Sequence, residues 1–77
     1  MDELIGCIKL FGGNFAPQGY MICQGQLLSI ANYDPLFTII GTTFGGDGRE
    51  TFALPNITPL KGANYIIAVE GIYPERP

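Results

Sequence analysis

Glycine cuts this chain into short pieces. Eleven of its 77 residues are glycine, and they punctuate the apolar runs at Gly12-Gly13, Gly19, Gly25, Gly41, Gly45-Gly46, Gly48 and Gly62. Glycine enters the left-handed backbone region freely, so such positions favour turns over the interior of long elements. The expectation is an α+β domain, mainly β, with about four to five short strands and one short helix. Residues 1–77 are read as a single domain, near the lower size at which one core holds a fold.

Alternation places a first strand over 4–11, with Leu4, Gly6, Ile8 and Leu10 on an apolar face and Ile5, Cys7, Lys9 and Phe11 on a mixed one. Ala16-Pro17-Gln18-Gly19 reads as a turn, with proline pre-set for its second position. A second strand follows over 20–23 and a third segment over 27–30. The helix is expected at about 33–40, capped by Asn32 or Asp34. Pro35 is tolerable there because it falls in the first turn, and Gly41 sits where the helix should stop. Leu36, Ile39 and Ile40 share its core face, with Phe37 beside them. A glycine-rich loop spans 42–51, a brief extended segment 52–54, and a linker 58–62. The last strand covers 65–73, and Pro74-Glu-Arg-Pro77 should end the sheet, since proline has no amide to donate.

The surface is the unusual part. Charged residues make up 14% of the chain, against about 25% in typical soluble domains. A domain this small must expose much of itself, and few charges are available to solvate it, so contact with other chains is expected. The last strand is apolar on both faces apart from Glu70, which makes Tyr65, Ile67, Val69 and Tyr73 the expected oligomer interface. The linker would also let this strand exchange between chains. Net charge is −3, with Lys9, Arg49, Lys61 and Arg76 scattered singly, so nothing in the pattern suits phosphate backbones and nucleic-acid binding is not expected. No apolar run is long enough to span a bilayer, and the opening Met-Asp-Glu is acidic where a secretory signal needs positive charge.

Candidate chemistry is sparse. Histidine is absent, which removes imidazole bases, His-paired nucleophiles and His-containing metal sites. Cys7 and Cys23 lie on strands expected to be neighbours. A disulfide there would contribute about 3 kcal/mol, but cytoplasmic synthesis favours two buried thiols. The run Gly41-Thr-Thr-Phe-Gly-Gly-Asp-Gly-Arg49 lacks both the Gly-Lys-Ser/Thr of a phosphate loop and the strand-then-helix setting of a dinucleotide site. It also lacks the repeated oxygen ligands of a calcium loop. Gly45, Gly46, Asp47, Gly48 and Arg49 are therefore read as a structural loop, with glycines supplying positive φ and Asp47 accepting from nearby amides. No catalytic, cofactor or metal residues are assigned, and no enzyme activity is expected. Tyr20 and Tyr33 are the residues available for a receptor contact, since exposed tyrosines stack on sugars or fill interfaces.

Two stretches carry more than composition. Phe15-Ala-Pro-Gln-Gly-Tyr-Met-Ile-Cys-Gln-Gly-Gln-Leu-Leu28 and Leu36-Phe-Thr-Ile-Ile-Gly-Thr-Thr-Phe-Gly-Gly-Asp-Gly-Arg-Glu-Thr-Phe-Ala-Leu-Pro-Asn56 together resemble the phage tail collar domain, the module of short tail fibres and microcystin-dependent-type proteins. The resemblance runs from about residue 5 to 57, and 64–77 is similar to the closing strand of longer members. Tyr20 stands where a tryptophan is frequent. The glycine-rich insertion of longer members, where chains interweave and histidines bind a metal, is replaced here by residues 58–63. Metal-stabilised receptor binding is therefore not carried over.

What the resemblance implies is a non-enzymatic virion structural protein of a phage tail fibre, tail tip or baseplate, or of a related contractile injection system. It would assemble as an oligomer, as a trimer in the first instance, with itself and with other tail or fibre proteins. Synthesis is expected in the host bacterial cytoplasm without a signal peptide. The alternatives are a fibre tip that attaches to a host-surface glycan or receptor, and a self-assembling surface filament subunit.

Overall fold

The computed structural model of the chain describes residues 3–75. Five strands and one helix follow one another as β1 Ile8–Phe11, β2 Tyr20–Ile22, β3 Leu27–Ser29, α1 Asp34–Ile40, β4 Thr51–Ala53 and β5 Asn64–Ala68. They make a three-stranded sheet in the order β1-β5-β2 and a separate ribbon, β3-β4, with every pairing antiparallel. The mainly-β α+β architecture expected from the sequence is the one observed.

The last strand is the middle of its sheet. Ile67 pairs with Ile8 on one side and Met21 on the other, and Ile66 pairs with Lys9 and Ile22. Both edges of β5 are consequently paired, and Ile66, Ile67 and Ala68 are fully buried. Ile67 joins the main core with Leu36 of α1, Phe52 of β4, Leu54 and Cys23. The Phe37 ring completes that side, 5.4 Å from Phe52. On the opposite face, Ile66 and Ala68 lie beside Lys9 and Tyr20 in register. There the Lys9 ammonium sits 4.9 Å from the Tyr20 ring centroid, so a long aliphatic stem and an aromatic ring roof the apolar strand while their polar ends stay in water.

The start of the chain departs from the expected strand. Gly6 has φ 92 and the Cys7 amide donates to Leu4 O at 3.1 Å, so residues 4–7 turn and β1 begins only at Ile8. The turn moves the core residue from Leu4 to Ile5, which is buried while Leu4 is exposed. Leu4 instead bridges Ile72 in parallel, with Ile5 N–H donating to Ile72 O and Ile72 N–H to Glu3 O, both at 2.9 Å. The last strand is correspondingly shorter than expected, because the chain bends at residues 69–71.

Helix α1 is capped differently as well. Tyr33 occupies the N-cap with no side-chain cap bond, because Asp34 is already inside the first turn and Asn32 belongs to the turn that precedes it. Pro35 lies in the first turn as expected, and Gly41 ends the helix at φ 56 with its amide on Phe37 O. The linker contains a tight turn in which Leu60 and Ala63 exchange two backbone bonds of 2.9 Å around Lys61 and Gly62, both at positive φ. Pro74 and Glu75 form no strand; the remainder of the expected closing segment, Arg76 and Pro77, lies outside the described residues, as do Met1 and Asp2.

Candidate functional site

The glycine loop after α1 is organised by one carboxylate. Asp47 Oδ1 accepts from the amides of Arg49 at 2.8 Å, Glu50 at 2.9 Å and Thr51 at 3.0 Å, while the Asp47 amide donates to Thr51 Oγ1 at 3.3 Å. Three N–H donors favour the charged form and hold the Asp47 carboxyl down at about 2. Gly46 is the tightest point: at φ 95, a Cβ placed there would overlap the Phe52 Cα and lie 2.7 Å from Thr51 O. The loop thus folds directly onto the start of β4, and Ala53 N–H closes it on Gly45 O at 3.1 Å. The donors that a bound anion would use are taken by Asp47 itself. Gly45, Gly46, Asp47, Gly48 and Arg49 thus lie in a loop held by these bonds.

The residues expected to meet other chains divide sharply. Ile67 and Val69 are buried in the chain's own core, because β5 is flanked on both edges; they present no surface, and that part of the expected interface is corrected. Tyr65 is half-buried against the same core. Tyr73 is exposed, with its hydroxyl 2.6 Å from Thr38 Oγ1. Exposed apolar side chains stand instead on the first strand, Ile8 at 40% and Leu10 at 43%, and across the Leu4–Ile72 bridge, with Phe15, Leu27, Phe44 and Leu60 exposed elsewhere on the surface. Sequence alternation alone could not find them, since an apolar strand face looks alike at a sheet's edge and at its centre.

Of the two tyrosines considered for receptor contact, Tyr20 is occupied. Its hydroxyl donates to Glu3 Oε2 at 3.3 Å, and that carboxylate also meets Lys9 at 3.0 Å. The Lys9 ammonium holds the Glu3 carboxyl below its usual range, and Glu3 raises Lys9 in return. Tyr33, by contrast, lines an open groove with Ile5, Asn32, Pro35, Val69 and Glu70.

Cys7 and Cys23 are both free thiols. Their strands are not neighbours, because β5 lies between β1 and β2. Cys23 is buried as expected, and burial raises its pKa; Cys7 is exposed, contrary to the expectation of two buried thiols. Among the described residues no group of three or more Cys, Asp or Glu is placed to hold a metal ion, and no helix is long and apolar enough to cross a membrane.

A short apolar helix runs into a carboxylate-pinned glycine loop, followed by a strand and the Leu54-Pro55-Asn56 exit. The phage tail collar domain matches residues 6–60, and the chain belongs to that family. The family assigns it a structural role in a phage tail fibre and a place in the virion tail. No curated protein matches the sequence.

Proposed function

We propose that this chain is a trimeric, non-enzymatic segment of a phage tail fibre or tail tip, or of a related contractile injection particle, packing against copies of itself and against neighbouring tail proteins. The observation that supports this reading is the apolar surface left beside the core. Leu4, Ile8, Leu10 and Ile72 are all exposed on a chain of which only 14% is charged. Burying roughly 400 Å² of apolar surface per chain would yield about 10 kcal/mol, of the same order as the roughly 4–15 kcal/mol cost of association. The edge of β1 is also open on the side away from β5, the kind of edge that proteins cover or blunt.

Light scattering at micromolar concentration tests the proposal. The expected species has three times the 8.3 kDa chain mass, and Ile8→Ser with Leu10→Ser shifts it toward monomer while circular dichroism stays unchanged. A folded 8.3 kDa species at every concentration overturns the reading.

A further inference from the structure

Two features at opposite ends of β5 complement one another. Just before the strand, the Leu60–Ala63 turn has Lys61 at its tip with φ 50, the single non-glycine residue at positive φ among the described residues. Asn, Asp or Gly would suit that backbone; lysine offers no local hydrogen bond to ease it. Its side chain is exposed and makes no ion pair with a described carboxylate, and Leu60 beside it is 50% exposed. The turn therefore accepts a conformational cost while projecting an ammonium and an isobutyl group together.

Just after the strand lies the open groove of about 540 Å³. Ile5 and Val69, both largely buried, form its apolar floor. The half-buried Tyr33 and the exposed Asn32, Pro35 and Glu70 stand around it. Its one charge is the Glu70 carboxylate. Of the other described cations, Lys9 is held by Glu3 and Arg49 borders a different groove beside Glu50. An apolar floor, an aromatic ring and a lone carboxylate suit an aliphatic stem that ends in a cation.

Because turn and groove lie at the two ends of the same strand, one chain cannot fill its own groove. We infer that the Leu60-Lys61 turn of one copy seats in the Tyr33–Glu70 groove of the next, Lys61 against Glu70 and Leu60 toward Ile5 and Val69. Such a contact uses two different patches, and repeated head to tail it closes into a three-membered ring when each step turns by a third of a circle and runs on as a filament when it does not. This inference rests on the reading of the chain as a trimer and adds to it a contact beside the apolar patch of Leu4, Ile8, Leu10 and Ile72.

Charge reversal decides it. Light scattering and sedimentation at micromolar concentration are applied to the wild type, Lys61→Glu, Glu70→Lys and the double reversal, with circular dichroism confirming the fold of each. Each single reversal should raise the concentration needed for assembly by at least about tenfold, since like charges then face each other, and the double reversal should restore it. Lys61→Asn separates fold from contact: it relieves the turn and raises the melting temperature, yet weakens assembly. A wild-type trimer indifferent to both reversals, or a folded double variant that fails to reassemble, overturns this contact and leaves the trimer reading standing. A wild type that is monomeric throughout overturns both.

Discussion

Asp47 shows how one side chain can replace a secondary-structure element. Its carboxylate satisfies three successive amides, those of Arg49, Glu50 and Thr51, that lead into β4. Its folded pKa lies at about 2, below the ordinary 3.8, so the stabilisation it provides is complete above about pH 4 and is lost as pH falls toward 2. Stability measured over that window should drop with acid in the wild type. In Asp47→Asn, already weakened at neutral pH, the acid-dependent part of that drop should be smaller. At Gly46, strain and overlap act together, and Gly46→Ala should cost about 3 kcal/mol in denaturant melts. Gly41→Ala, where nothing lies within 4 Å of the added carbon, should cost about 1 kcal/mol from positive φ alone. Equal losses at the two sites would show that the close approach to β4 does not matter. The thiols offer a third check: a disulfide reagent should titrate Cys7 in the folded protein and Cys23 only on unfolding, because Cys23 is buried and Cys7 is not.

Among the elements, β5 and β1 carry similar residues to different ends. Ile67→Ala should cost about 2–5 kcal/mol in unfolding experiments, as a buried isoleucine does when it leaves a cavity. Ile8→Ala, on the paired position of the exposed edge, should cost well under about 1 kcal/mol and affect assembly instead. The local signals in the chain locate these elements well. Alternation marks β5, the turns at residues 16–19 and 24–26 set off β2 and β3, the Pro35 and Gly41 pair brackets α1, and the glycine run marks the loop. Two local signals mislead. The alternation over residues 4–11 continues through Gly6, whose positive φ ends the strand and transfers burial from Leu4 to Ile5. Asn32 and Asp34 are both capping residues by type, and neither caps, since Tyr33 is the residue that flanks the first helical bond. Strand order is beyond local pattern altogether. That β5 inserts between β1 and β2 depends on pairings between distant parts of the chain, and that insertion decides which tyrosines and isoleucines are surface.

On the scale of the whole molecule, the two sheets share one small core, and the chain ends are stitched to each other through Glu3, Ile5 and Ile72. No metal enters that scheme among the described residues, so thermal melts with and without EDTA should coincide; a large drop on chelation would reveal an ion held between copies. The glycine loop and the apolar edge play separate parts. The loop is closed on itself by Asp47, whereas the edge and the Tyr33 groove are open. The collar family is legible in the sequence because two motif stretches carry it, residues 15–28 and residues 36–56, the second of which includes that closed loop and its flanks. The contact surface is less legible because exposed positions are less restricted.

The central place of β5 sets the order in which a nascent chain can acquire structure. A ribosome releases the strands β1 and β2 first, and neither has its sheet partner until residues 64–68 have also emerged. Until then two unpaired edges and their apolar faces are open at once, a state prone to pairing with the wrong strand. Where many ribosomes make the same polypeptide side by side, the unpaired edges of β1 and β2 are open to a β5 strand from a neighbouring chain as well as to their own.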